Sequence, residues 1–344
     1  MVLRRSAWLS VEAAALAALP LLTFACGRQR APSDAQAAHQ AEWTDPSPHR
    51  VVRVAVRPGV QLEILDWGGH GVPLVFLAGY GNTAHVFDGF APQFCDHHHV
   101  LAITRRGFGT STLASGGFDT VTLGADVLAV LDKLKLDRPV LVAHSFGGAE
   151  LNAIAVQRPA AVSALVYLDG GFDFAELYAD SSWMHVPIPR PPRALSVDSS
   201  FKRETAYAAQ MSGPGYPEAE VREQDAWRAR LRATPAFHAD SLEAWLAQGT
   251  PRAKFGMIRV PVLAIYGVSR TVQEKYPWVI GAPVALRREA EHRFAVEAPL
   301  LARQRARFRS QVPGARVVEI PGGRHYVYLS HPREVAAAIR SIAP

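Results

Sequence analysis

The sequence predicts an α/β protein, a mostly parallel sheet with helices on both faces. Three observations predict it. Short, continuously apolar runs recur along the chain, the pattern of strands buried on both sides. Helix-patterned stretches separate them, and strand–helix alternation builds a layered α/β sheet. One apolar run, Val140–Ala143, leads through His144 to a serine and then to Gly147-Gly148 and a helical pattern. A serine so placed presents its hydroxyl at a strand end beside a helix N-terminus, which suits a nucleophile whose attack creates an oxyanion.

The chain begins outside that pattern. Arg4 and Arg5 precede an apolar stretch, Ala13–Phe24, and then Ala25-Cys26-Gly27. Residues 1–26 read as an export signal whose apolar part is short for a bilayer span. Leu22-Thr23-Phe24-Ala25-Cys26 resembles the lipobox of bacterial lipoproteins, with Thr23 where Leu is usual. A lipidated Cys26 or an uncleaved anchor would hold the exported protein on a membrane; a plain cleaved signal would leave it periplasmic or secreted. Residues 27–48, rich in Ala, Gln, Pro and Ser, read as a flexible tether to a domain over 49–344.

The domain opens with strands at Arg50–Arg57 and Gln61–Trp67 around Pro58-Gly59, a hairpin. Further strands are expected at Pro73–Ala78, Val100–Thr104, Val140–Ala143, Ala164–Leu168, Val262–Tyr266 and Arg316–Ile320. Helices are expected at Leu123–Leu134, Ala149–Gln157 and Arg333–Ile342. With 49% hydrophobic residues in 344, the chain can bury a sizeable core. The net charge of +6 comes mostly from scattered Arg, so a nucleic-acid surface is not expected. With only Cys26 and Cys95 there is no disulfide framework, and Cys95 reads as a small buried apolar residue. His97-His98-His99 cannot all face one ion and have no accompanying ligand pattern, so they read as a solvated loop and no metal is implied. His331, before Pro332, is expected to cap the last helix.

From about Val51 onward the chain resembles the α/β-hydrolase superfamily. Asp66-Trp67-Gly68-Gly69, Pro73–Gly79, Arg106-Gly107-Phe108-Gly109-Thr110-Ser111, Ala143-His144-Ser145-Phe146-Gly147 and Pro321-Gly322-Gly323-Arg324-His325 stand in the family's order. The fourth matches the nucleophile elbow Gly-x-Ser-x-Gly with Ala143 in the first place. The resemblance implies Ser145 as nucleophile and His325 as general base. The family usually sets the acid after the strand matching Val262–Tyr266, but that loop reads Gly267-Val268-Ser269-Arg270. Asp169, ending Ala164–Leu168, takes the role instead, with Asp173 and Glu274 in reserve. The oxyanion hole falls to the backbone N–H groups of Phe146 and Tyr80, each donor being worth on the order of 3 kcal/mol in typical hydrolases. Ala78 replaces the family's usual His, which leaves these backbone donors in place.

Between Phe172 and Arg259 the alternation lapses. Helical stretches near Lys202–Gln210, Glu218–Leu231 and Ser241–Ala247 resemble the inserted cap of the family, about residues 172–259. Of Trp183, Phe201, Trp227, Phe237 and Trp245, some would form its core and one or two would line an apolar acyl or alcohol pocket. The implied activity is hydrolysis of a small-molecule ester through a Ser acyl-enzyme with no cofactor. Amide or carbon–carbon bond hydrolysis on the same residues is one alternative. A non-catalytic ligand-binding homologue is another, motivated by the missing Asp in the 267–270 loop.

Overall fold

The computed structural model describes residues 43–180, 182, 185–193, 200–234, 242 and 246–343. The signal and lipobox with Cys26, most of the tether, Trp183, Phe237, Trp245 and most of the helix expected near 241–247 lie outside them.

Eight strands form one sheet: β1 (Arg50–Arg57), β2 (Val60–Gly68), β3 (Leu74–Leu77), β4 (Val100–Thr104), β5 (Val140–His144), β6 (Ala164–Leu168), β7 (Val262–Val268) and β8 (Arg316–Pro321). Their order is β1-β2-β4-β3-β5-β6-β7-β8. β2 runs antiparallel to both neighbours, and every other pairing is parallel. The apolar runs are continuous because alternate residues face separate cores. Val75, Leu77, Leu141, Ala143, Leu165, Tyr167 and Ala264 point to one face; Leu74, Phe76, Val140, Val142, Val166, Leu168 and Ile265 point to the other.

Helices cover both faces. On the first lie α1 (Thr120–Lys133), α2 (Gly147–Gln157), α3 (Phe174–Ala179) and, further along the chain, the long helix Val284–Gln311, through Leu123, Val127, Ile154, Leu177, Leu300 and Phe308. The Asp119 side chain accepts from Thr122 N at 2.8 Å and starts α1. α4 (Phe201–Ser212) and α5 (Glu218–Arg232) follow in the segment where alternation lapses, then α6 (Val272–Lys275), with Val284–Gln311 as α7. On the second face lie the turns Ala84–Phe87 and Ala91–Phe94, α8 (Val327–Ser330) and α9 (Pro332–Arg340), through Phe87, Phe94, Tyr328, Val335 and Ile339. Among the described residues no helix is long and apolar enough to cross a membrane.

Some expectations change. α7 was not anticipated, because Arg and Glu interrupt its apolar positions and Pro299 lies inside it. Only His97 of the three adjacent histidines is well exposed; His98 is buried with Nδ1 3.0 Å from Val72 O, and His99 Nε2 lies 2.9 Å from Asp66 Oδ1. His331 stands at the N-cap of α9, but its ring makes no capping bond and meets Ser330 Oγ at 3.1 Å. Cys95 is half-buried rather than buried. The end of the expected tether is held: Trp43 stacks under the Arg222 guanidinium, and Ser47 Oγ accepts from Trp67 Nε1 at 2.8 Å.

Candidate active site

The parallel strands β5, β6, β7 and β8 all end on one edge of the sheet, so the loops that follow them meet there. β5 gives way to α2 within two residues, and that turn forces Ser145 to φ +50°. Such a value costs a non-glycine residue of order 1–3 kcal/mol, and it aims the hydroxyl away from the sheet. The turn also demands close backbone approach. A Cβ on Gly147 would lie 3.0 Å from Leu77 O, and one on Gly148 would collide with Gly170 O. Ser145 N donates to Leu168 O at 3.0 Å and Asp169 N to Ile265 O at 2.8 Å, so the ends of β5, β6 and β7 are pinned side by side. Asp169, the first residue after β6, also has positive φ, +45°.

His325 follows β8. Its Nδ1 lies 2.8 Å from Asp169 Oδ2 and its Nε2 3.0 Å from Ser145 Oγ. A carboxylate only accepts, so Nδ1 carries the proton, and the Nε2 lone pair faces the serine hydroxyl. Asp169 is buried and the His325 side chain is 33% exposed, so the site opens to solvent at the imidazole. His144 supports the base from below. It is fully buried, and burial, with His325 adding a smaller push, holds its pKa well below the usual imidazole value. The neutral ring donates from Nε2 to His325 O at 3.1 Å and braces the loop.

Tyr80 follows β3, and Phe146 stands at the head of α2, where the first N–H groups lack intrahelical acceptors. Arg105, which the sequence reading passed over, connects the two. Its Nη2 donates to Ala78 O at 2.7 Å and its Nη1 to Gly79 O at 2.9 Å, while Nε pairs with buried Glu150 of α2. The guanidinium also lies 5.3 Å from the Phe146 ring centre. Because the Gly79–Tyr80 peptide is trans, fixing its carbonyl toward Arg105 aims the Tyr80 N–H the opposite way. A second brace comes from α5. Glu220 accepts from Asn82 Nδ2 at 2.9 Å and Thr83 N at 3.1 Å, and Tyr326 OH donates to Asn82 Oδ1 at 2.9 Å.

The reserve acids are engaged elsewhere. Asp173 is buried, accepts from Glu176 N at the start of α3 and pairs with Arg252 and Arg307 at 2.9 and 3.1 Å. Glu274 accepts from Arg270 N at 2.6 Å in an exposed turn.

A family model described as "Alpha/beta hydrolase family" matches residues 74–338. The chain belongs to the alpha/beta hydrolase family. Curated relatives include a non-heme chloroperoxidase of Streptomyces lividans, 37% identical over 28% of this chain and 36% of its own length. Epoxide hydrolase A of Mycobacterium tuberculosis is 30% identical over 47% of this chain and 48% of its own length. The chain thus spans half or less of the length of those two relatives. Among solved structures, E-2-(acetamidomethylene)succinate hydrolase superposes over 86% of this chain and 98% of its own, with a TM-score of 0.57 at 20% identity, a likeness of fold.

Proposed function

We propose that the protein is a serine hydrolase that cleaves a carboxylic ester of a small molecule through a Ser145 acyl-enzyme. One observation carries the reading: hydroxyl, imidazole and carboxylate stand in line at 3.0 and 2.8 Å on the loops after β5, β8 and β6. His325 Nε2 takes the Ser145 proton as Oγ attacks the ester carbonyl. Asp169 holds the ring in the required tautomer and stabilises the imidazolium. The Tyr80 and Phe146 N–H groups receive the oxyanion. Collapse of that intermediate expels the alcohol, which takes the proton back from His325. Water then enters by the same sequence, and the acid leaves.

The serine also argues against epoxide opening. A Ser alkoxide attacking an epoxide carbon would form an ether, which water cannot hydrolyse by acyl chemistry. Acyl transfer leaves an ester that the same residues release.

The test is covalent labelling with a fluorophosphonate, together with turnover of p-nitrophenyl esters of increasing acyl length. Wild type labels stoichiometrically and turns over at least one ester. Ser145→Ala does neither, and Asp169→Asn loses about 10²- to 10⁴-fold in kcat. A folded wild-type protein that takes no label would overturn the enzymatic reading in favour of ligand binding. Labelling without ester turnover would shift the substrate to an amide or a carbon–carbon bond.

A further inference from the structure

We propose that Asp45, His49, His85 and Asp88 form a binding site for a divalent transition-metal ion, zinc being the best match, that clips the segment ahead of β1 to the turn after β3. The residues come from two stretches far apart in sequence. Asp45-Pro46-Ser47-Pro48-His49 precedes β1; His85 and Asp88 belong to the turn Ala84–Phe87 and its C-cap. One ligand atom from each lies within 4.8 Å of all the others. A tetrahedral ion with bonds of about 2.0–2.1 Å sets its ligand atoms roughly 3.3 Å apart. His49 Nδ1 stands 3.2 Å from Asp88 Oδ1, and His85 Nδ1 3.3 Å from Asp45 Oδ2.

A network of protons and carboxylates would fill the same space through ion-pair approaches of 3.2–3.9 Å, but it leaves three atoms without a hydrogen bond. Asp45 Oδ2, His49 Nδ1 and Asp88 Oδ1 are buried and have no hydrogen-bond partner. The His49–Asp88 approach is an ion-pair distance; against burial, the largest influence, it and His85 lower the Asp88 carboxyl. The side chains of His49 and Asp88 are only 6% and 5% exposed, so bulk water does not serve these atoms. Each carboxylate spends its other oxygen: Asp45 Oδ1 accepts from Ser47 N at 2.9 Å, and Asp88 Oδ2 meets His85 Nδ1 at 2.8 Å. What remains is three converging atoms without a hydrogen bond, beside His85 Nδ1, whose bond to Asp88 Oδ2 a metal would replace. Two imidazoles and two carboxylates suit zinc and exclude the all-oxygen preference of calcium and magnesium. Carboxylates of Glu63 and Glu223 also lie within 4.8 Å of a His85 ring nitrogen, the kind of outer partner that orients a ligating imidazole. The proton shared by His85 and Asp88 leaves on binding.

The clip anchors the chain just ahead of β1 beside Asn82 and Thr83, the far end of the loop that carries Tyr80. The role is structural, and its test is independent of the reaction at Ser145. Protein purified without chelator is assayed for metal by mass spectrometry, then stripped with EDTA and titrated calorimetrically with zinc chloride. One zinc per chain is expected. Its affinity should fall by more than about 100-fold in Asp45→Asn and in His49→Gln, beyond the loss from an outer-shell change. Zinc should raise the melting temperature by several degrees in wild type alone, with no response to magnesium. Zinc-edge X-ray absorption on the wild type should report two imidazoles, a reading that needs no variant to fold. Substoichiometric zinc, equal affinity in both variants, or a shell without imidazole would each overturn the site.

Discussion

At the scale of single residues, Arg105 is a positioning group with a distinct kinetic signature. Its planar fork holds the carbonyls of Ala78 and Gly79 at once and still pairs with Glu150. A Lys keeps the charge but cannot reproduce three fixed donors. Arg105→Lys should therefore lower kcat of the proposed esterase about 10- to 100-fold with little change in KM, since an oxyanion donor matters most in the transition state. An equal loss in KM would assign Arg105 to substrate binding instead. Arg105→Met should fold poorly, because buried Glu150 would keep an unpaired charge at a cost of about 3–5 kcal/mol. Ser145 and His325 were legible because their neighbours are stereotyped by tight turns. Asp169 was legible because a strand end must deliver it, and the structure brings it to His325. Arg105 was not, since an arginine after a strand reads the same whether buried or exposed. The Asp45–His49 and His85–Asp88 pairs were also hidden, because only folding brings them together.

At the scale of elements, the contact between α5 and the loop after β3 depends on pH. Glu220 is fully buried, and burial, the largest influence, lifts its carboxyl to about 7 against hydrogen bonds from Thr83, Asn82 and Gln224 that lower it. In the unfolded chain it titrates near 4.5. Between these values the folded protein holds a proton that the unfolded chain has released. The stabilisation is fully present below about 4.5 and is lost as pH rises through about 7. Urea unfolding at pH 5 and pH 8 should show this site contributing up to ~3 kcal/mol to the difference. Glu220→Gln, which cannot ionise, should flatten that slope; an unchanged slope would remove Glu220 as its source. Strands were the most legible elements, because burial on two faces leaves long apolar runs such as Leu74–Leu77. Direction was not: nothing in Val60–Gly68 records that β2 lies between β1 and β4 and runs against both. α7 escaped notice because a helix with so many charged residues lacks a continuous apolar stripe.

At the scale of the whole molecule, the sheet order brings Ser145, Asp169 and His325 to one edge although 180 residues separate the first from the last. The N-terminal sequence adds a matter of place. We propose that the protein is exported and held by a lipid on Cys26. Detergent-phase partitioning of cells making wild type should then recover it with the membrane, and Cys26→Ser should move it to the aqueous phase. Recovery of both in the aqueous phase would leave a soluble exported protein.

The carboxylate that faces His325 comes from β6, while Gly267 on β7 packs so tightly against Gly323 and Arg324 that a Cβ there would strike their backbone. The loop carrying the imidazole therefore rests on β7 through that packing and through two hydrogen bonds, Gly322 N to Val268 O at 2.9 Å and Ser269 Oγ to Gly323 O at 3.0 Å, and takes its electrical partner from one strand over. Evolution, or an engineer, can rewrite exposed Arg270 more freely than Ser269, whose hydroxyl braces the loop of the imidazole, and a second acid installed there would compete for a ring that is already claimed.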